Sequence, residues 1–257
     1  MKYAVITRND PKSYNIKMKI RTVLSQNDWQ YDEKNPQLVI CVGGDGTLLY
    51  GVHQYIEQVN DVIFLGIHSG TLGFFTDYTC DELDACLEDL LTKTPEVYSS
   101  RLLQINLDND PQPKYALNEM RVENVIKSQI MDIYIDNEFF ETCRGSGICL
   151  STQAGSTAYN RSLRGSVVDS GLSVMQLAEI TPIQHSKHRS LNNPYIMMET
   201  RTITMKSETF DTAMLCYDHL YLPLKDTNKI ICKMSNQYVH FARYRKYSYL
   251  KRLKNLY

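Results

Sequence analysis

Residues 39–51 read VICVGGDGTLLYG. An apolar run leads into the segment GGDGT, residues 43–47, after which apolar residues recur at helical spacing. An Asp-Gly pair between apolar residues is also a β-hairpin signal, but a hairpin requires alternating residues on both sides. Because the downstream spacing is helical, the stretch predicts a strand, a glycine turn and a helix.

A strand–glycine–helix turn directs backbone N–H groups toward an anion. We therefore expect this glycine turn to lie against phosphate groups, with glycine needed for close approach and for positive φ angles. No P-loop or Rossmann pattern occurs in the chain. Asp45 would repel phosphate, which suggests that it takes a proton from an attacking hydroxyl or recruits Mg²⁺. The alternative is an Asx-turn or N-cap role.

The composition favours a globular protein with a substantial core. The chain has 257 residues, 43% of them hydrophobic, and a formal net charge of −1. This near-neutral charge gives no support for a nucleic-acid or membrane partner. No apolar run resembles a signal peptide or a membrane span, so we expect a cytoplasmic location. The seven cysteines form no CxxC pair. We expect most of them in the core rather than in disulfides or a zinc site.

Strand and helix patterns alternate over the first hundred residues, which predicts an α/β domain with a parallel sheet. From Thr94-Pro95 onward, segments of period two dominate and predict a β-rich, sandwich-like second domain. The predicted divisions are 1–97 for the α/β domain, 98–242 for the β-rich domain and 243–257 for a basic, aromatic tail. We expect this tail to pack on the first domain rather than to bind nucleic acid.

Three local patterns give sharper expectations. Thr79 and Glu82 have the spacing of a capping box before a helix. Asp136-Asn137 is placed at the turn of a hairpin. The segment SVMQLAEI, residues 173–180, resembles a helix.

Five segments together resemble the NAD kinase family. They are GGDGT at 43–47, GIHSGTLGFF at 66–75, LNE at 117–119, GSGICLSTQAGSTAYNRS at 145–162 and YDHLYLPL at 217–224. GGDGT alone is shared with diacylglycerol and sphingosine kinases. All five in family order resemble NAD kinases of Gram-positive bacteria.

The resemblance implies a phosphoryl transfer from Mg-ATP, or from polyphosphate, to the 2′-hydroxyl of the NAD adenosine ribose, giving NADP. It implies that Asp45 acts as base or orients the hydroxyl, that Asp45 and Gly46 face this ribose, and that His219 lies near it. It also implies that the donor phosphates are bound by Gly43, Gly44, Gly46 and Thr47. Asn118 and Glu119 would contact adenine and ribose. The resemblance also implies a homo-oligomer, commonly a tetramer. It assigns further NAD contacts to Arg144, Ser146, Ala154, Thr157, Ala158, Tyr159, Ser162, Thr181 and His185.

The chain also departs from the family pattern. Ser146 replaces an aspartate that the family supplies from a neighbouring subunit, Gln153-Ala154 replaces a Pro-Thr or Pro-Ser pair, and His68 stands where many members have asparagine. These changes bear on substrate affinity and choice more than on phosphoryl transfer. Two other functions stay open: a lipid or sphingoid-base kinase, and a catalytically weak NAD- or NADP-binding sensor. The second is motivated by the aspartate missing at 146.

Overall fold

The computed structural model describes residues 1–70, 73–184 and 189–256. The α-helices are α1 (Pro11–Ser25), α2 (Asp45–Gln54), α3 (Leu83–Thr92), α4 (Tyr159–Ser162) and α5 (Tyr249–Lys254). The strands are β1 (Lys2–Thr7), β2 (Gln30–Tyr31), β3 (Leu38–Gly43), β4 (Ile63–His68), β5 (Tyr78–Thr79), β6 (Glu96–Leu107), β7 (Asp110–Ala116), β8 (Glu119–Glu123), β9 (Gln129–Ile135), β10 (Glu138–Gly145), β11 (Gly147–Thr152), β12 (Val174–Ile180), β13 (Tyr195–Met198), β14 (Ile203–Lys206), β15 (Met214–Tyr217), β16 (Leu220–Pro223) and β17 (Lys229–Arg243). Short 3-10 helices cover Ile56–Gln58, Cys80–Glu82, Ala154–Thr157 and Phe210–Thr212. No helix in these ranges is long and apolar enough to cross a membrane.

The chain forms two compact units. Unit 1 comprises Met1–Ser100 and Gln237–Tyr257, and unit 2 comprises Arg101–Asn236. The boundaries therefore fall within β6 and β17, two strands long enough to belong to both units. The domain limits inferred from the sequence, at 97 and 242, stay a prediction.

Unit 1 is built on a parallel sheet, as the alternating pattern predicts. Its strands follow the order β2, β1, β3 and β4, and β5 and the end of β17 pair with β4, all in parallel. All six residues of β3 are buried, which suits a strand covered on both faces. Helix α1 buries Ile16, Ile20 and Leu24 against this core. The α/β class of the first domain is confirmed.

The start of α3 and the tail also follow the sequence. The capping box is formed, because Glu82 accepts a hydrogen bond from the Thr79 backbone N–H at 2.9 Å. The tail belongs to unit 1 as predicted. Tyr247 Oη donates to the Phe74 carbonyl at 3.2 Å, and the Tyr249 ring lies 5.8 Å from that of Phe74.

Unit 2 is β-rich, with antiparallel strands in two sheets. In one sheet β10, β9, β14 and β17 are neighbours, with β6 and β7 attached; the other has the order β13, β12, β11, β8, β15 and β16. Buried residues of both sheets form one apolar core. Asp136 and Asn137 both have positive φ, at 50° and 68°, and close the predicted β9–β10 hairpin. The β-rich class of the second domain is confirmed.

The helix expected at 173–180 is wrong, because Val174–Ile180 is strand β12. It pairs with β11 on one side and β13 on the other, and five of its seven residues are buried. A short, continuously buried segment has no polar face to show a period of two. Apolar spacing alone therefore does not separate a strand from a helix here.

Candidate functional site

The GGDGT segment forms the predicted junction between strand and helix. Strand β3 ends at Gly43, Gly44 is the N-cap residue, and α2 begins at Asp45. The Gly44 carbonyl accepts from the N–H of Thr47 at 2.9 Å and of Leu48 at 3.3 Å, which closes the first turn. The first N–H groups of a helix have no acceptor within it, so this turn presents donors suited to an anion.

Positive φ angles, one of the two reasons expected for the glycines of the GGDGT segment, are not observed there. Among the described glycines only Gly147 has a positive φ, so none of the three in the GGDGT loop is there for a left-handed backbone. Gly43 is required by close approach, because a Cβ there would lie 2.7 Å from Thr47 Cβ. Gly46 has no atom within 4 Å of such a Cβ. Neither packing nor backbone conformation therefore requires glycine at position 46. This favours the interpretation that a bound ligand needs the space beside it.

Asp45 is held by a loop that lies far from it in the sequence. Its Oδ2 accepts from the Phe74 N–H at 2.9 Å and its Oδ1 from the Phe75 N–H at 3.1 Å. A Cβ on Gly73 would lie 2.7 Å from Asp45 Cγ, so this close approach requires glycine. The carboxylate is neither an N-cap nor an Asx-turn acceptor, and each oxygen retains capacity for a further hydrogen bond.

His68 lies beside the glycine loop. It ends β4, and the parallel register pairs it with Gly43 at the end of β3. Its Nδ1 accepts from the Gly70 N–H at 2.8 Å, and its Nε2 lies 3.4 Å from the position of a Cβ on Gly44. The carboxyl ends of neighbouring parallel strands are where α/β sheets bind ligands. The histidine at this position thus belongs to the edge that carries the GGDGT loop.

The second group of candidates lies in unit 2, around Asn118 and Glu119. Asp218 accepts from the backbone N–H groups of Leu117 and Asn118, both at 2.8 Å. The Asp218 N–H in turn donates to the Glu119 carbonyl at 3.0 Å. On the other side, the Thr152 hydroxyl donates to the Leu117 carbonyl at 2.6 Å. The start of β8 is therefore fixed from two sides.

Glu119 is a buried carboxyl with unused hydrogen-bonding capacity. Its residue is 5% exposed, and within the described part of the chain its Oε2 has no hydrogen-bond partner. Burial raises the pKa of Glu119 to about 7; the Asp218 carboxylate adds to the rise, and the Arg121 guanidinium opposes it. Asn118 Oδ1 is likewise buried without a partner among the described residues. Unpaired buried polar atoms of this kind are expensive unless a ligand completes them.

The segment 154–162 packs against this pair. A Cβ on Gly155 would lie 2.8 Å from Asn118 Cα. The Tyr159 backbone N–H donates to Glu119, and the Tyr159 ring stacks 3.9 Å beneath the Arg121 guanidinium. Arg121 also pairs with Glu123 at 2.6 Å. The remaining predicted residues of this segment are Ala154 and Thr157 in its 3-10 helix, Ala158 between the two helical turns, and Ser162.

Ser162 contributes less than its assignment suggests. It is exposed, and its hydroxyl donates to the Tyr159 carbonyl at 2.6 Å. Because this hydroxyl already donates its proton to a backbone carbonyl, it can only accept a hydrogen bond from a ligand.

Arg144, Ser146 and Thr181 form a separate cluster at the β10–β11 junction. The Ser146 N–H donates to the Ile180 carbonyl at 2.9 Å, and the Arg144 carbonyl accepts from Ile183 at 2.7 Å. On the β8–β11 ladder, Ser151 pairs with Glu119 and Gly147 with Glu123. Four residue steps separate the two pairs, about 13 Å at strand spacing. Ser146 is therefore at the opposite end of the ladder from Glu119.

Of the two histidines predicted for the NAD site, His219 and His185, only His219 lies among the described residues. His219 is exposed and follows Asp218, whose φ is +50°, between β15 and β16. It is thus adjacent in sequence to a residue that holds Asn118. His185 lies outside the described residues.

Sequence reasoning missed Asp218 and the loop Gly73–Phe75 as parts of the site. Both stood within segments quoted for the family resemblance, so a signal was present. The sequence pattern does not show which groups these residues contact. Asp218 accepts a hydrogen bond from a backbone N–H 100 residues away, and Asp45 accepts from backbone N–H groups 29 and 30 residues away.

A glycine-rich turn between a parallel strand and a helix, followed by a unit of antiparallel sheets with a buried Asn-Glu pair, defines a nucleotide-binding protein of two units. Comparison with protein families narrows this class. The ATP-NAD kinase N-terminal domain matches residues 7–94, and the ATP-NAD kinase C-terminal domain matches residues 117–244. The chain belongs to the NAD kinase family.

Individual relatives match over nearly the whole chain. NAD kinase 1 of Bacillus subtilis is 35% identical over 260 residues, covering 99% of this chain and 97% of that protein. The NAD kinase of Enterococcus faecalis is 34% identical over 259 residues, covering 99% of this chain and 98% of that protein.

Solved structures share the fold. Yeast NADH kinase, solved in complex with NADH, superposes with a TM-score of 0.85 at 18% identity, covering 100% of this chain and 87% of that one. An NAD kinase from Archaeoglobus fulgidus, in complex with ATP, gives a TM-score of 0.79 at 22% identity, covering 100% of this chain and 97% of that one.

Proposed function

We propose that this chain is an NAD kinase, which transfers the γ-phosphoryl group of ATP to the 2′-hydroxyl of the NAD adenosine ribose and releases NADP. The observation that carries the proposal is Asp45: a carboxylate at the first residue of α2, held by the Phe74 and Phe75 N–H groups. Relatives that cover nearly the full chain support the same activity and favour neither the lipid kinase nor the sensor.

Asp45 has the capacity to accept the proton of the acceptor hydroxyl. Each of its oxygens receives one backbone hydrogen bond and has lone pairs left for the ribose. The two backbone bonds fix the direction of the carboxylate, so it is positioned before substrate arrives. The donors at the start of α2 then face the phosphoryl group, whose charge spreads over its oxygens in the transition state. Gly43, Gly44, Gly46 and Thr47 are the proposed phosphate-binding residues.

In unit 2, Asn118 and Glu119 are the proposed contacts to adenine and ribose. Their buried, unpaired oxygens accept hydrogen bonds from hydroxyl or amino groups of NAD. Tyr159, Thr157 and Ala158 are proposed to line the same site, and His219 is proposed near the reacting ribose.

Magnesium is proposed to enter with ATP rather than to reside in the protein. Over the described ranges, no group of three or more His, Cys, Asp or Glu side chains could hold a metal ion. Mg²⁺ commonly keeps several waters and binds through substrate phosphates with one or two carboxylates. The ion supplies charge neutralisation at the phosphates.

Self-association and a cytoplasmic location belong to the same proposal. Val125 and Ile126, which directly follow the Asn124 turn after β8, are 90% and 75% exposed. Apolar side chains exposed side by side favour a protein–protein contact. Ser146 precedes Gly147, whose ladder partner Glu123 is four residues along β8 from Glu119, about 13 Å at strand spacing. The resemblance assigns the residue at 146 to the NAD site of a neighbouring subunit, and we propose the same for Ser146, in a homo-oligomer such as a tetramer.

The test is to incubate the purified chain with Mg-ATP and NAD and to quantify NADP. Formation of NADP, lost when ATP is omitted, is the expected result. NAD binding without NADP would favour the sensor. Phosphorylation of a sphingoid base in place of NAD would favour the lipid kinase.

A further inference from the structure

A cavity of about 670 Å³ lies in unit 1 beside the C-terminal helix. Its lining includes Asp77, Arg245, Lys246, Ser248, Lys251 and Arg252. The volume is that of a small-ligand pocket, typically about 300–1,000 Å³. The cavity shares no lining residue with the GGDGT loop, so the proposed phosphoryl transfer leaves it unassigned.

The charges around this cavity are unbalanced. Asp77 Oδ1 accepts from two guanidinium groups, Arg243 at 2.5 Å and Arg252 at 3.4 Å. Arg245 pairs with both oxygens of Glu82, at 2.7 and 2.9 Å.

Lys246 and Lys251 bring the cations of this cluster to five, against the two carboxylates of Asp77 and Glu82. The excess is positive by about three charges, and it surrounds a concave space. A small anion entering that space would meet several cations at once.

Besides Asp77 Oδ2, which is buried without a hydrogen-bond partner in the described part of the chain, Arg252 lacks a partner at one of its donor atoms. The residue is 6% exposed, lines the cavity, and within the described ranges its Nε has no hydrogen-bond partner. Burial lowers the pKa of Arg252, but an arginine side chain stays charged at neutral pH. A buried guanidinium with an unused donor is costly, and an anion in the cavity would remove that cost.

We propose that this cavity binds a multivalent, phosphate-bearing anion. Planar guanidinium groups, ammonium groups and a serine hydroxyl are the donors that recognise phosphate oxygens. An excess of about three positive charges suits a di- or trianion better than chloride. The site is separate from the donor-phosphate loop, and the anion is a ligand there rather than a reactant.

Pyrophosphate is the probe for this site. Its dissociation constant is measured by calorimetry on the full-length protein, with ionic strength held constant by potassium chloride. The matched pair of variants is Lys251→Gln and Lys254→Gln. Both lysines are exposed on α5 and both changes remove one charge, but only Lys251 lines the cavity. We expect Lys251→Gln to weaken pyrophosphate binding about tenfold and Lys254→Gln to leave it within about twofold.

A second variant, Lys246→Gln, should act like Lys251→Gln, because Lys246 also lines the cavity. Equal losses in Lys251→Gln and Lys254→Gln would mean that pyrophosphate responds to the overall charge of the tail, and would overturn the proposal. So would wild-type binding that no cavity lysine alters, since pyrophosphate would then occupy another site such as the GGDGT loop.

Discussion

Gly73 packs directly against the carboxylate of Asp45, so closely that a Cβ on Gly73 would lie 2.7 Å from Asp45 Cγ. The next two residues donate their backbone N–H groups to that carboxylate. The loop that begins at Gly73 therefore holds Asp45 in place. The position of the proposed base depends on a glycine 28 residues away in the sequence.

Gly73→Ala should damage catalysis although the carboxylate remains. The methyl group displaces either the loop or Asp45, and a shift of about 1 Å can reduce turnover about a hundredfold. We expect kcat to fall at least tenfold, with a loss of unfolding free energy of about 1–3 kcal/mol. Steady-state kinetics and urea unfolding measure both. Wild-type kcat in this variant would show that the loop does not position Asp45.

Gly46→Ala should lower activity without lowering stability. Nothing lies within 4 Å of the added methyl group, and alanine is the better helix former by about 1 kcal/mol. We therefore expect unchanged or increased stability together with at least a tenfold loss of kcat/KM, since the methyl group enters the space proposed for ribose or phosphate. If kcat/KM stays at the wild-type level, Gly46 does not face a substrate.

Asp45→Asn should lower kcat by about 10²–10⁴, the range typical of lost general-base assistance. Asparagine also brings an amide NH₂ toward the Phe74 or Phe75 N–H, so a stability loss of about 1–3 kcal/mol accompanies it. The Gly73→Ala variant is the control, because it disturbs the same contact and keeps the carboxylate. A kcat at the wild-type level in Asp45→Asn would show that Asp45 has a structural role only.

Glu119 should make stability depend on pH. Its pKa is raised from an ordinary 4.5 to about 7 by burial, so between these values the folded state binds more protons than the unfolded state. Stability from this group is therefore present at low pH and falls as pH rises toward 7, by about 3 kcal/mol in total.

Glu119→Gln removes this dependence. Urea unfolding of both proteins from pH 4.5 to 7.5 should give a difference in stability that grows with pH in favour of the variant. Glu138→Gln, at an exposed position of the same unit, is the matched control. A difference that is constant with pH would contradict the buried, protonated state of Glu119.

Asp218→Asn should raise the KM for NAD about tenfold with little effect on the KM for ATP. Asp218 binds the backbone N–H groups of Leu117 and Asn118, and asparagine has one acceptor oxygen for the two donors. The start of β8 then loses its alignment, and with it the Asn118 and Glu119 contacts. Equal increases of KM for both nucleotides would indicate general loss of structure instead.

Ser146→Asp should lower the KM for NAD with little change in kcat or in the KM for ATP. A charged hydrogen bond is worth about 1.5–3 kcal/mol against about 0.5–1.5 kcal/mol for a hydroxyl, so a change of roughly tenfold is expected. Light scattering on the same samples measures the oligomer that this role requires. An unchanged KM for NAD would make Ser146 a simple turn residue between two glycines.

The elements that the sequence predicted correctly are those in which the interacting residues are neighbours in the chain. The spacing around 39–51 was sufficient for the strand, turn and helix, because consecutive residues define the period and the glycines interrupt it. The Thr79–Glu82 capping box and the Asp136-Asn137 turn followed for the same reason: the interacting groups are at most three residues apart. The order of the five motifs was sufficient for the family.

Tertiary structure alone decided the partners of the site residues. The segment Val174–Ile180 has the apolar spacing of a helix but forms strand β12, because it pairs with β11 on one side and β13 on the other. Those neighbouring strands are present only in the assembled sheet. Asp45 accepts hydrogen bonds from the loop at Phe74 and Phe75, and Asp218 accepts one from the Asn118 N–H. These bonds join residues 29 to 100 positions apart in the chain. The high pKa of Glu119 likewise comes from burial and from the nearby Asp218 carboxylate, and both exist only once the chain has folded.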